Sequence, residues 1–201
     1  MKPYDSRQTF SALILAGGES QRMNQPKAFL PVHGKTFIEN IVHDYNEAGV
    51  KKIVVVMNHR FMHLIPEGLL KLAKVIPNFD PDMGRYHSLR IGLKECSGDH
   101  IFIHNCDNPY IEKEVAKALM DNAGPDSYVV PTYLGHGGHP VLLSKKIASC
   151  IAADENSTAT LRTALAKFRR TEAPVDSPLI RVNVNTRHDY DLHILNQVHA
   201  T

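Results

Sequence analysis

Leu13-Ile14-Leu15-Ala16-Gly17-Gly18-Glu19-Ser20-Gln21-Arg22-Met23-Asn24-Gln25-Pro26-Lys27 reads as a buried strand that runs into a short polar loop. The apolar run Ser11–Ala16 has the length and β-branched character of a strand covered on both faces. Gly17 and Gly18 follow, where the absence of a Cβ lets backbone pass close to a bulky ligand. Their amides can bond phosphate oxygens as a backbone nest does. Ser20 lies in the same loop. Arg22 and Lys27, five residues apart, can bring two cations onto one polyanion. This combination suits a nucleoside triphosphate. Two familiar phosphate loops are excluded, since neither G-x-x-x-x-G-K-[ST] nor G-x-G-x-x-G occurs here.

Outward from that loop, apolar runs alternate with helical patterns along the whole chain. Strands are expected at Ser11–Ala16, Lys52–Met57, Lys74–Ile76, His100–Asn105, Ser127–Thr132, Pro140–Leu143 and Ile180–Val184. Amphipathic helices are expected at Phe37–Ala48, Arg85–Lys94, Glu112–Asn122, Thr158–Phe168 and His188–Val198. Alternation of this kind predicts a three-layer, Rossmann-like α/β fold with a mostly parallel mixed sheet, in which ligands sit beyond the carboxyl ends of the strands. One domain over residues 1–201 is expected, with residues 1–9 a loose tail. Ala173–Pro178, bounded by prolines, reads as a surface loop.

At 201 residues the chain can bury a substantial core. With 23 Lys and Arg against 21 Asp and Glu, its formal charge of +2 lacks the basic footprint of a nucleic-acid binder. Its three cysteines, Cys96, Cys106 and Cys150, form no C-x-x-C pair, so buried free thiols in a reducing compartment are expected. Met1–Asp5 has no apolar signal core, and no stretch approaches the roughly 18 apolar residues of a membrane span. A cytoplasmic protein with no membrane partner follows.

Further polar groups stand just after expected strands. Asp107 ends the His100–Asn105 run and precedes Asn108-Pro109; one such carboxylate, with substrate phosphates, can start a magnesium site. Asn183 and Asn185 alternate along a strand pattern and so share a face. Gly84-Arg85-Tyr86-His87-Ser88 turns into a helix whose N-terminus suits an anion or a base. Gly137-Gly138-His139-Pro140 makes a glycine-rich loop, and no Glu or Cys completes a zinc site with His136 and His139.

The first loop resembles the G-G-x-S-x-R-M-x-x-P-K signature of the MobA-like nucleotidyltransferase superfamily, with Gly17, Gly18, Ser20, Arg22, Met23, Pro26 and Lys27 in place. Cys106-Asp107-Asn108-Pro109 is similar to its C-D-x-P segment, and Asn183-Val184-Asn185-Thr186 to its N-x-N-T or D-x-D-T segment. The resemblance implies transfer of a nucleotidyl group from a nucleoside triphosphate to a phosphate- or phosphonate-bearing small molecule, with release of pyrophosphate and with Mg²⁺ as cofactor. It further implies that Leu15, Ala16, Gly17, Gly18, Ser20, Asn58, Arg85 and Ser88 bind the nucleotide. Arg22 would hold the departing phosphates and Lys27 the α-phosphate. Asp107, Asn183 and Asn185 would hold the metal, and Gly138 and His139 would face the acceptor. Leu-Ala-Gly-Gly is typical of guanylyl members, whereas Arg85-x-x-Ser88 and Gly-His-Pro-Val-Leu resemble cytidylyl ones; two segments against one favour CTP over GTP. Asp154–Arg162 departs from the molybdopterin cytidylyl pattern, which weakens the case for that acceptor. A sugar-1-phosphate nucleotidyltransferase and an inactive nucleotide-binding or regulatory domain are the alternative readings.

Overall fold

The computed structural model describes residues 8–18, 25–156 and 158–195. Its strands are β1 (Phe10–Ala16), β2 (Pro31–Val32), β3 (Lys35–Thr36), β4 (Lys52–Asn58), β5 (Lys74–Asn78), β6 (His100–Asn105), β7 (Ser127–Tyr133), β8 (His136–Gly137), β9 (Val141–Ser144) and β10 (Arg169–Pro174). Its α-helices are α1 (Phe37–Glu47), α2 (Glu67–Leu70), α3 (Gly84–Leu93), α4 (Lys113–Asp121), α5 (Lys145–Ala152), α6 (Leu161–Leu165) and α7 (Arg187–Tyr190). The main sheet runs β10-β7-β9-β6-β1-β4-β5, with β8 hydrogen-bonded to β7. β6, β1, β4 and β5 are mutually parallel, and β10 is parallel to β7. β9 runs antiparallel between β6 and β7. From β1 the chain builds outward through β4 and β5, then returns to place β6 on the other side of β1. The carboxyl end of β1 is therefore the topological switch point, where such sheets bind ligands.

Alternation along β1 divides two core layers. Ala12, Ile14 and Ala16 join Ile38, Ile41, Val115 and Leu119 of α1 and α4 on one face. Leu13 and Leu15 join Leu89, Leu93, Ile147 and Ile151 of α3 and α5 on the other. The three-layer α/β fold with a mostly parallel mixed sheet is thus the fold observed. Helix α1 starts on a reciprocal cap: Glu39 N–H donates to Thr36 Oγ1, while the Glu39 carboxylate accepts from Thr36 N–H at 2.9 Å.

Several expectations differ. Ile180–Val184 is not a strand: Pro178–Arg181 forms a 3₁₀ turn. The chain after it runs outside the sheet ladders, with Val182 and Val184 packed into a third apolar cluster around Phe37 and Tyr190. The last strand is β10, lying within and before the expected surface loop. Its Arg-Arg-Thr-Glu sequence is that of a charged, exposed edge strand, which carries no apolar signal. Thr158–Phe168 shortens to α6, because Thr160 and Thr163 cap each other and set the helix start at Leu161. Lys145–Ala152, expected to have no element, is α5, capped by Ser144, whose Oγ accepts from Ile147 N–H. The helix expected over His188–Val198 is α7 followed by a π-type turn at Asp191–Leu195, the rest lying outside the described residues. Residue 9 is not loose, since Thr9 N–H and hydroxyl both donate to the Asp99 carboxylate at 2.9 and 2.8 Å. The cysteines are free, as expected, but Cys150 is exposed, and Cys96 and Cys106 are half-buried. Among the described residues no helix is long and apolar enough to cross a membrane.

Candidate active site

Three strand ends and one irregular segment meet at the switch point. A cleft of about 210 Å³ is lined by Leu15, Ala16, Gly17 and Gly18 from β1, Lys27 from the loop return, Arg85 and Ser88 from α3, and Asp107 after β6. Ser20 and Arg22 lie outside the described residues. The two glycines serve different purposes. Among the described residues, a methyl group on Gly18 would meet nothing within 4 Å, so on that side its backbone stands open to the cleft. One on Gly17 would come within 2.9 Å of Ser88 Oγ, so this position is bare in order to seat α3 against the strand.

Ser88 is buried, and the Asn78 side-chain amide donates to its Oγ at 3.0 Å. Asn78 Oδ1 accepts from Asp80 N–H at 2.9 Å, which fixes the amide's orientation. The serine hydroxyl is therefore an acceptor toward Asn78 and keeps its own proton for a ligand. Asn78 was absent from the sequence reading. The signal was a polar residue ending the apolar run of β5, the same placement as Asn58 and Asp107.

Gly84 opens α3 at φ 82°, a conformation that favours glycine. Met83, the residue before it, supplies no side-chain cap, so the first amides of α3 are left for an external acceptor at the cleft.

Asp107 is held by its own backbone, because its carbonyl accepts from Val184 N–H at 2.7 Å. That bond ties the Asn183–Asn185 segment to the aspartate. Lys27 Nζ donates to Asn185 Oδ1 at 2.8 Å, which brings lysine, asparagine and aspartate together. Asn183 lies one residue before the tether, and its amide donates to Arg181 O at 3.4 Å. The two asparagines do point away from buried Val182 and Val184, as alternation predicts, though along an extended segment with no sheet ladder.

Asp107 Oδ2 lies 3.5 Å from Arg85 Nη2, and the arginine side chain is 66% exposed. Such a pair is weak and easily exchanged for another partner. Oδ1 is buried with no hydrogen-bond partner. A buried, unpaired carboxylate oxygen is costly unless a ligand satisfies it, and a hard divalent cation such as Mg²⁺ fits the oxygen donors of Asp107 and Asn185. Among the described residues no group of three or more His, Cys, Asp or Glu is assembled for a metal. An ion here would depend on substrate phosphates for the rest of its shell. Cys106, beside Asp107, is no thiolate at neutral pH, since burial pushes its pKa up to about 12.

Behind the aspartate, a buried network fixes the loop. His104 Nε2–H donates to Asn108 O at 2.7 Å, and its Nδ1 accepts from the Tyr45 hydroxyl at 3.0 Å. Burial pulls the His104 pKa down to about 4, against the opposing effect of the Asn108 bond.

A second cavity, of about 640 Å³, adjoins the first and shares Leu15, Gly84, Arg85 and Asn105 with it. His139 lines this second cavity. Gly138 precedes it where backbone meets backbone: its N–H donates to Pro131 O, and an added Cβ would lie 2.8 Å from the Ile180 carbonyl carbon. Asn58 is not among the residues lining either cavity. It is fully buried across the ladder from Asn78, and its Oδ1 accepts from Arg60 N–H at 3.0 Å.

The chain resembles known proteins in sequence and in fold. Residues 12–175 match the family model described as the MobA-like NTP transferase domain. A protein of Clostridium perfringens described as a probable molybdenum cofactor guanylyltransferase is 29% identical over 199 residues, covering 90% of this chain and 94% of its own. A nucleotidyl transferase from Methanothermobacter superimposes with a TM-score of 0.79 at 21% identity, over 96% of this chain and 99% of its own. Rv0371c of Mycobacterium tuberculosis, solved in complex with manganese, superimposes at 0.75 with 18% identity, over 94% and 98% of the two chains.

Proposed function

The chain belongs to the MobA-like NTP transferase family, and from that premise we propose that it transfers a nucleotidyl group, with CTP as donor, to a phosphate- or phosphonate-bearing small molecule and releases pyrophosphate. The observation that carries this reading is the meeting of Lys27, Asn185, Arg85 and the unpaired Asp107 oxygen beside the open backbone of Gly18. Opposed charges at one switch point suit a triphosphate and its counter-ion.

In the proposed reaction an acceptor oxygen attacks the α-phosphorus in line. A new P–O bond forms, the bond from the α-phosphorus to the bridging oxygen breaks, and the leaving electrons depart on pyrophosphate. The acceptor phosphate is already ionised at neutral pH, so no general base is needed. The protein's task is positioning and charge neutralisation. Gly17 and Gly18 amides cradle phosphate oxygens, Lys27 neutralises charge building on the α-phosphate, and Arg22 takes the β- and γ-phosphates. Mg²⁺ bound by Asp107 with Asn185 or Asn183 would supply further charge neutralisation. Arg85 can leave Asp107 for a phosphate of either substrate, and Gly138 and His139 flank the acceptor.

CTP is favoured because Ser88, with its proton unspent, offers a donor to the acceptor edge of cytosine. A matched hydrogen bond discriminates between bases more strongly than a methyl's worth of space. The name of the Clostridium perfringens relative favours GTP as a second reading. Pyrophosphate release with Mg²⁺, measured over four triphosphates and a panel of phosphorylated acceptors, tests the proposal. Turnover with CTP and one acceptor is expected, and Ser88→Ala should weaken CTP more than GTP or ATP in competition. Preference for GTP that ignores this substitution would reverse the donor assignment, and no turnover with any pair would favour a binding-only domain.

A further inference from the structure

Positive charge is gathered at one end of the sheet. The chain carries 23 Lys and Arg against 21 Asp and Glu, yet a cavity of about 420 Å³ at the amino ends of β1, β4 and β5 is lined by Lys51, Lys52, Lys71 and Lys74 against Glu95 alone among charged groups. It lies at the edge opposite the Gly17–Gly18 cleft: Ser11 lines it, and Ala16, at the cleft, stands roughly 17 Å further along the same strand. The cavity exists because α3 stops short. Gly92 packs so closely on Leu13 and Val56 that a Cβ there would not fit, and the helix ends one residue later at Leu93. Ser11 shares a strand face with Leu13 but lies two residues before it, and Lys52 is its partner in register on β4. Both therefore lie past the end of the helix that covers the rest of this face.

The lining is unevenly satisfied. Lys74 donates to Glu95 at 2.6 Å, so that pair is neutral. Lys51 is held by Asn46, a partner without charge. Lys52 and Lys71 make no ion pair among the described residues. Beneath them, Ser11 Oγ is buried with no hydrogen-bond partner of normal geometry, and the interaction it has with the Cys96 thiol is a weak one. A buried hydroxyl in that state is costly unless something enters to bond it.

We propose that this cavity is a second anion site, taking a phosphate monoester between Lys52 and Lys71 and above the Ser11 hydroxyl. The proposal is independent of the nucleotidyltransfer reading. A phosphate presents three charged oxygens in different directions, enough to meet two ammonium groups and one hydroxyl together. A carboxylate has two oxygens in one plane and is matched best by the fork of an arginine, which this lining lacks. Leu70 and Leu72, also in the lining, are 56% and 43% exposed, so the carbon part of an ester meets apolar surface there. A free phosphate ester and a phospholipid headgroup share this chemistry.

The test is two-dimensional ¹H–¹⁵N NMR of the full chain, titrated with n-butyl phosphate at fixed ionic strength, with a flotation arm using phosphatidylcholine vesicles with and without phosphatidic acid. The amides of Ser11, Lys52 and Lys74 should shift together and saturate, with a midpoint separate from that of Gly17 and Gly18. Lys52→Gln with Lys71→Gln should weaken the first response by about tenfold or more and leave the second unchanged, whereas Lys27→Ala should weaken only the second. Ser11→Ala should lower the affinity without lowering Tm, since it removes a polar atom that has no good partner; a lower Tm with unchanged affinity would overturn the hydroxyl's role. Shifts in solution without flotation would assign a free ester, and flotation that requires phosphatidic acid and both lysines would assign a headgroup. No response beyond a sodium chloride control in either arm would overturn the proposal. So would a response that the double variant leaves intact, or one that disappears with Lys27→Ala.

Discussion

Gly17→Ala separates two reasons for a glycine at the end of β1: room for a purine, or room for Ser88. The added methyl would lie 2.9 Å from Ser88 Oγ and 3.6 Å from Asn78 Nδ2. Neither neighbour is a flexible tip. Ser88 is buried and bonded by Asn78 at 3.0 Å, and Asn78 is pinned in turn by Asp80 N–H at 2.9 Å. The methyl must therefore push α3 outward or break the Asn78–Ser88 bond. Overpacking of this kind costs about 1–3 kcal/mol, and in a domain of this size that lowers Tm by roughly 2–10 °C. Ser88→Ala alone strands the Asn78 amide, at about 1–3 kcal/mol. In the double variant the clashing oxygen is gone, and the remaining Ser88 Cβ is an ordinary 3.7 Å neighbour. The two losses should then fall short of their sum by about 1 kcal/mol or more. Urea denaturation of the four proteins measures this coupling, and competition binding of CTP and GTP on the same set reads the ligand side. Gly17→Ala should weaken CTP, because it displaces the serine. An unchanged Tm, additive losses and a selective loss of GTP would refute the packing argument and return Gly17 to the purine.

Lys27→Ala should leave Tm within experimental scatter and lower kcat by on the order of 10²–10³, the usual loss when a preorganised charge on a reacting phosphate is removed; near-normal turnover would remove lysine from the mechanism. Asp107→Ala should abolish metal-dependent turnover more completely than Asn183→Ala or Asn185→Ala, since it alone brings negative charge to the oxygen set; metal titration of the three variants decides the ranking, and Asn185, bonded to Lys27, should matter more than Asn183. His104 gives a pH signature: its folded pKa of about 4 lies below the ordinary 6.5, so the unfolded chain binds more protons between those values. The stability it contributes is full above pH 6.5 and lost as pH falls toward 4, by about 3 kcal/mol; His104→Gln, which can keep both hydrogen bonds, should flatten that part of the stability profile, and an unaltered profile would show that the histidine is not the group responsible.

Where the sequence was legible, one physical signal was strong enough to stand alone. The continuous apolar runs of β1, β4 and β6 mark strands covered on both faces, and from them the layers and the ligand edge follow. Gly17, Gly18, Arg85, Ser88 and Asp107, which the structure brings to one cleft with Lys27, each stand close after such a run or at a helix start. The failures have the opposite character. β10 is a charged edge strand, held by pairing with β7 and signalled by nothing in its own composition. Val182–Asn185 has the alternation of a strand, yet no sheet edge receives it, and its apolar side chains are used by α1 and α7 through Phe37 and Tyr190. Asn58 carries the strand-end signature as clearly as Asp107 does, but its neighbours bury it. A residue's place at a strand end is local information, whereas the cavity it faces depends on what the rest of the chain packs beside it. The cavity beside the cleft is the extreme case, because it lies where α6, whose start is set by the Thr160–Thr163 cap, leaves its core layer partly uncovered.

The arrangement also explains how one carboxylate can anchor a site without a second acid. Asp107 leaves β6 into a loop whose geometry is fixed on both sides. On one, His104 and Tyr45 hold Asn108 through a fully buried chain of bonds. On the other, Val184 N–H grips the aspartate's own carbonyl. Neither hold uses the carboxylate, so both of its oxygens stay available, one facing Arg85 and one unpaired. The grip on Val184 simultaneously delivers Asn185 to Lys27. A single backbone hydrogen bond thus sets the separation between the anionic and cationic halves of the cleft. Since Val184 N–H cannot be removed by changing a side chain, Val184→Pro is the substitution that deletes the donor, and it should loosen both halves at once where any side-chain substitution at the site disturbs only one.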